Sequence, residues 1–194
     1  MKSVALLLFA LRLPACAQEV SITVDPAHST VQFTIGDVLH TVRGTFQVKS
    51  GLVHINPADA TASGQILVDV RSGNSGNGMR DRRMHKDILQ SDKYPDAIFS
   101  PDRVIGKLSL NGESQVDVHG VLRIHGQDHD VTLPAKVKVE NGQVSATTSF
   151  VMPYVSWGMK NPSNFMLKVG DKVDLTMSLT GSVQRNGTPK FPRQ

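Results

Sequence analysis

The chain has 194 residues, of which 39% are hydrophobic and 5% aromatic, and its formal net charge is +4. A charge that mild, with both signs scattered along the chain, gives no electrostatic footprint for nucleic acid. The single cysteine excludes an internal disulfide, so one domain of this length must be held together by burial alone.

Lys2, an apolar run over residues 4–11 and the small residues Ala15-Cys16-Ala17 read as a secretory signal peptide over residues 1–17. The run is too short to span a bilayer. The rival reading is a lipoprotein box at Leu13-Pro14-Ala15-Cys16, which Pro14 fits badly. The expected organisation is an exported domain over residues 18–185 and a loose tail over 186–194.

Alternation with a period of two then recurs along the chain. Val20 to Val24 predicts a first strand, stopped by Asp25-Pro26, and Val31, Phe33 and Ile35 predict the dry face of a second. A third is expected over residues 41–49, with Val42, Phe46 and Val48 on one face and Ser50-Gly51 as its turn. Ile66, Val68 and Val70 mark a fourth, followed by a loop over 71–78. Met84, Ile88 and Leu89 are spaced for one short amphipathic helix within residues 79–89, ended by Tyr94-Pro95. Ala97 and Phe99 resume strand parity, and residues 104–110 predict a further strand.

Residues 116–152 hold the clearest pattern, a three-strand meander with one dry and one wet face. Val116, Val118, Leu122 and Ile124 give way to Val131, Leu133, Val137 and Val139, with a turn expected about Gly126-Gln127. Asn141-Gly142 suits a two-residue hairpin turn, and Val144, Ala146, Phe150 and Met152 follow on the dry side. A loop bracketed by Pro153 and Pro162 precedes a last strand carrying Val173, Leu175, Met177 and Leu179 inward.

The fold class is therefore all-β: an antiparallel barrel of about eight strands with one short helix, with a two-sheet sandwich as the other arrangement. Aliphatic inner positions and few aromatics favour the tube. The polar outer face excludes an outer-membrane barrel.

Little in the chain looks like chemistry. A turn about Gly126-Gln127 sets His129 opposite Ile124 and pairs His125 with Asp128, so His119, His125 and His129 diverge and read as surface histidines rather than a metal site. Asp25-Pro26-Ala27-His28-Ser29 puts an acid, a base and a hydroxyl together but brings no oxyanion loop, and a locally capped turn is the better reading. Arg80, Arg82, Arg83 and Lys86 are either a solvated helix face or a clamp for an anionic head group. Tyr154, Trp157, Met159, Phe165 and Leu167 form either a plug or the lip of an opening.

Taken together, several motifs resemble the YceI family of secreted, lipocalin-like proteins. They are Asp25-Pro26-Ala27-His28-Ser29 followed by Val31 and Phe33; Gly44-Thr45-Phe46; Arg80-Asp81 with Tyr94-Pro95 and Phe99; Gly120-Val121-Leu122-Arg123-Ile124 with Val131-Thr132-Leu133-Pro134; and Tyr154-Val155-Ser156-Trp157-Gly158 with Val169-Gly170-Asp171. The resemblance covers essentially the whole chain after the leader. It implies a lipocalin-like, extended barrel, typically periplasmic, whose apolar tunnel binds a polyisoprenoid or similar long-chain lipid. An aliphatic barrel face without a convergent polar constellation leads to the further expectation of no cofactor, metal or catalysis.

On that reading the bore is continuous. It is lined by Phe33, Ile35, Phe46, Val48, Val68, Phe99, Leu122, Leu133, Phe150, Leu175 and Met177, with Met84 and Ile88 from the helix. Tyr154, Trp157, Met159 and Phe165 stand at its mouth, and Arg80, Arg82 and Arg83 meet the head group. A transient membrane contact and a homodimer are compatible with such a carrier. The competing functions are a secreted enzyme acting on apolar substrates through His28 and Ser29, and a filled barrel serving as a stress-response or interaction protein.

Overall fold

The computed structural model describes residues 19–36, 41–163 and 168–185. The leader with Cys16, Phe165, Leu167 and the tail 186–194 lie outside the described residues.

Nine strands occur among those residues: β1 (Val20–Val24), β2 (Thr30–Gly36), β3 (Thr41–Asn56), β4 (Thr61–Asn74), β5 (Asp96–Ile105), β6 (Gly112–Ile124), β7 (Gln127–Glu140), β8 (Gln143–Met152) and β9 (Val173–Arg185). All pairings are antiparallel, and each strand from β3 to β9 pairs with the next. Both β1 and β2 pair with β3 on one side and with β9 on the other. They are two halves of one stave, so the sheet closes as an eight-stave barrel and leaves no long open edge among the described residues.

The break in that stave is built locally. Asp25 Oδ1 accepts from the Ala27 N–H at 2.9 Å, and Pro26 supplies a fixed φ at the start of the single turn Pro26–His28. The Ser29 hydroxyl donates to the Asp25 carbonyl at 2.7 Å and accepts from the Thr180 N–H at 3.0 Å. Its proton is thereby directed to the backbone, and His28 is held by Asp25 Oδ2 at 2.7 Å. The pair reads as a strand splice, consistent with the capped turn expected from sequence.

Three expected boundaries are corrected. Ser50-Gly51 is not a turn: β3 runs on to Asn56 and absorbs the kink as register slips against β4 between Thr45 and Gln47 and between Val48 and Ser50. Gly51 is required because the Val24 side chain of β1, the strand paired alongside, lies against it, where a Cβ would be 2.5 Å from Val24 Cγ2. Residues 104–110 are not a separate strand, since β5 is continuous through a slip between Pro101 and Arg103 and ends at Ile105. Residues 71–74, expected as loop, are the end of β4.

The β6–β7 hairpin turns at His125-Gly126, both with positive φ (51° and 75°), one residue earlier than expected. Ile124 therefore pairs with Gln127, Arg123 with Asp128 and Leu122 with His129. The partner of His129 thus moves by two residues, from Ile124 to Leu122, and a two-residue shift keeps the face. His129 shares the inward parity of Val131 and Leu133, and both His125 Nε2 and His129 Nε2 are buried, so neither is the surface histidine the sequence suggested. The next hairpin follows expectation: Asn141 and Gly142 have φ of 52° and 75°, and Glu140 pairs with Gln143.

The expected helix is present as α1 (Gly78–Arg83) and a wider π turn, Met84–Leu89. Asn77 Oδ1 caps it by accepting from the Met79 and Arg80 N–H groups at 3.1 and 3.0 Å. Gln90, in the left-handed region at φ 47°, ends it ahead of Tyr94-Pro95.

The inward positions form two apolar clusters along the bore. One gathers Val24, Val53, Ile66, Phe99, Val116, Leu133 and Val144; the other gathers Phe33, Ile124, Met152, Tyr154, Met159 and Val173. Phe46, Ala97, Phe150 and Leu175 pack against both clusters and form a waist between them.

Candidate functional site

Two covers meet over one end of the barrel. The helical segment is fastened by Ser75, whose carbonyl and Oγ accept from the Arg80 guanidinium at 2.8 and 2.7 Å while its N–H and O–H donate to Asp81 Oδ1. His85 fastens the other side. Its Nε2–H donates to the Gly73 carbonyl at 2.8 Å, which leaves Nδ1 to accept from the Ser91 hydroxyl at 3.2 Å.

The second cover is the loop 153–163. The Tyr154 hydroxyl donates to the Gly170 carbonyl at 2.7 Å, and burial pushes its pKa up to about 12. Trp157 stacks on the inward-turned His129, with centroids 3.9 Å apart and planes at 8°. Burial holds the His129 and His125 pKa values below 6.5. Arg83 spans the two covers by donating from Nη2 to the Pro162 carbonyl at 3.0 Å.

Beneath them lies a chamber of about 430 Å³. Its walls are Phe33, Ile35, Val42, Phe46, Met152, Val173 and Leu175 from strands, Met79, Met84, Ile88 and Leu89 from the helical segment, Tyr154 and Met159 from the second cover, and Val169 from the segment ahead of β9. Ser75, Asn77, Arg80 and Arg83 supply the polar part of the lining. That volume lies within the usual range for small-molecule sites, and a mostly apolar wall with a few grouped polar residues is their usual make-up.

Beyond the waist is a smaller chamber of about 130 Å³. It is lined by Ile22, Val24, Val53, Ile55, Ile66, Phe99, Val104, Val116, Leu133, Val144, Met177 and other aliphatic residues. Thr148 Oγ1, buried and without a hydrogen-bond partner among the described residues, also lines it. The interior is thus two chambers rather than the uniform bore expected, because aromatic and aliphatic side chains from four staves meet at the waist.

The residues singled out from sequence divide accordingly. Phe33, Ile35, Phe46, Met84, Ile88, Tyr154, Met159, Leu175, Arg80 and Arg83 line the larger chamber, and Phe99, Leu133 and Met177 line the smaller. Val48 and Val68 are core, Leu122 packs against it, and Phe150 sits at the waist. Trp157 closes the loop against His129, so that loop is both lip and plug: Tyr154 and Met159 face the chamber and Trp157 seals. Arg82 is exposed and does not line the chamber. Sequence reasoning missed Met79, Met152, Val42, Ser75 and Asn77 as lining residues. The inward parity of Met152 and the cap position of Asn77 were the available signals.

The remaining histidine cluster is on the outer face. His119 is held between Asp102 at 2.7 Å and Asp130 at 2.8 Å. The hydrogen bond that its Nδ1–H donates to Asp102 is the main cause that raises its pKa.

A closed eight-stave antiparallel barrel with a capped, apolar chamber at one end is the lipocalin-like class of architecture. The chain belongs to the YceI-like family, whose domain matches residues 22–181. A UPF0312 protein of Vibrio cholerae is 29% identical over 113 residues, which make up 57% of this chain and 58% of that protein. The chain thus spans well under two thirds of that curated relative. Among solved structures, Burkholderia cenocepacia BcnA superposes with a TM-score of 0.67 at 23% identity, covering 81% of this chain and 98% of that one. A polyisoprenoid-binding domain from Saccharophagus degradans gives 0.67 at 16% identity, covering 84% and 98%. The Campylobacter jejuni YceI protein gives 0.53 at 14% identity, covering 96% and 94%.

Proposed function

We propose that this chain is an exported carrier that holds a long apolar chain, isoprenoid or fatty-acid-like, in the larger chamber with its polar end at the rim. The observation that carries the reading is the 430 Å³ apolar chamber whose polar lining, Ser75, Asn77, Arg80 and Arg83, is grouped on the helical cover. The name of the Saccharophagus degradans domain, a barrel of the same fold, supports an isoprenoid as the guest. The leader-like residues 1–17 support export to the periplasm.

The energetics favour length. About ten methylenes at ~0.8 kcal/mol each give roughly 8 kcal/mol gross. Association costs roughly 4 kcal/mol or more, so a short chain binds weakly and a longer one usefully. The rim arginines keep N–H groups beyond those given to Ser75 and Pro162, which suits an anionic or strongly accepting head group.

Native mass spectrometry of protein purified from its own source, followed by lipid extraction, tests this directly. The expected result is a non-covalent adduct that releases a long-chain lipid. A mass equal to the polypeptide alone, together with no heat on titration with long-chain alcohols, would refute it.

A further inference from the structure

We infer that the helical rim of the chamber docks on the surface of an anionic lipid bilayer, an inference that rests on the carrier reading and names where the guest is exchanged. Three observations converge there. Met79 is 76% exposed, the most of the large apolar side chains so exposed among the described residues, and it also lines the chamber. The segment that carries it presents Arg80, Arg82, Arg83 and Lys86 to solvent. Of its two carboxylates, Asp81 is half-buried and taken up by Ser75, leaving Asp87 as the exposed one.

The other exposed apolar side chains have a different setting. Ile105, Val121 and Val151 stand directly across the sheet from Asp117, Asp130 and Asp174, and Leu52 stands between Thr23 and Gln65. An anionic surface would be repelled at three of those places and is attracted at the rim. An apolar tip set among cations is the arrangement that enters the headgroup layer of a bilayer. Each cation near such a surface favours the bound state by about fivefold. Docked this way, the chamber faces the headgroup layer, so an apolar chain passes between bilayer and barrel without crossing water.

The test is co-sedimentation of the purified protein with vesicles of phosphatidylcholine alone and of phosphatidylcholine with phosphatidylglycerol. The Arg82→Glu/Lys86→Glu double variant is run alongside, since both residues are exposed and neither lines the chamber. Any contribution of the N-terminal residues is common to both proteins and cancels in their ratio. The expected result is binding to the anionic vesicles only, weakened about tenfold or more in the variant. Binding should also be lost between about 0.1 M and about 1 M salt, as the screening length falls from about 10 Å to about 3 Å. Chamber occupancy, read separately by titration with a long-chain alcohol in vesicle-free solution, should be the same for both proteins. Equal binding to both vesicle types, no binding to either, or full retention by the variant would each overturn the docking surface while leaving the carrier reading standing. Loss of alcohol binding by the wild type would remove the carrier reading instead.

Discussion

The two chambers are made by the same two-residue alternation yet differ in what their walls can do. The larger one takes Met79, Met84, Met152 and Met159 of the chain's seven methionines. Unbranched thioether side chains yield to irregular guests. The smaller one is walled by β-branched residues such as Ile22, Val24, Val53, Ile55, Ile66, Val104, Val116 and Val144, which are stiff at χ1. Their surroundings differ too. The smaller chamber is walled mainly by strands, β1 with β3 and β9 among them. The larger one is covered by a helical segment and a loop held through the side chains of Ser75, His85, Tyr154 and Arg83. One hydrophobic pattern runs through both chambers, so their difference in room tracks side-chain flexibility and the side-chain-held cover of the larger one.

The largest effect that would break this contrast is on binding. Met84→Glu sets a carboxylate in the wall of the larger chamber, where a guest must desolvate it. Affinity for a long-chain alcohol is expected to fall about a hundredfold or more, measured by calorimetry. An unchanged affinity in the folded variant would mean the guest lies elsewhere.

Stability should divide the other way. Ile66→Ala, in the smaller chamber, is expected to cost about 2–5 kcal/mol in urea unfolding and to leave alcohol affinity within about threefold. Met84→Ala, half-buried beside existing space, should cost about 1 kcal/mol or less. Equal losses would erase the distinction between a rigid and a yielding chamber.

The smallest effect is on pH dependence, and its sign differs between the capped end and the outer wall. His119 has its pKa raised above 6.5, mainly by Asp102 and further by Asp130. The fold favours its cation, so that contribution is complete below 6.5 and is lost as pH rises through the raised value. His125 and His129 have pKa values lowered below 6.5, by burial foremost. The fold favours their neutral forms, so that contribution is complete above 6.5 and is lost as pH falls through the lowered values. The three together should give a shallow stability maximum near 6.5. Trp157, the only tryptophan, should report His129 by a fluorescence midpoint below 6.5, while the His119 ring resonances titrate above it.

Much of the barrel could be read from the chain because alternation over β6 to β8 and the pair Asn141-Gly142 fix faces and register together. What escaped that reading depended on single residues. Ser50-Gly51 has turn composition, yet Gly51 serves a close approach of Val24 within a continuous strand. His125-Gly126 is a positive-φ pair like Asn141-Gly142, and missing it set His129 across from Ile124 rather than Leu122. The parity that His129 shares with Val131 and Leu133 was the overlooked sign that it faces inward, where it stacks on Trp157. The opposed charges of Arg123 and Asp128, 2.6 Å apart across the correct register, were the available clue. The waist could be read only in part: Phe150 and Leu175 face each other across β8 and β9, whereas Phe46 and Ala97 come from β3 and β5 and are brought toward them only when the sheet closes.

The most direct measurement is the affinity of the wild-type protein for a series of straight-chain alcohols of increasing length. A guest that fills the larger chamber first should gain about fourfold per methylene, then show a break where the chain reaches the waist at Phe46 and Phe150. An affinity independent of chain length would contradict the account, for then no apolar chamber in this barrel is receiving the chain.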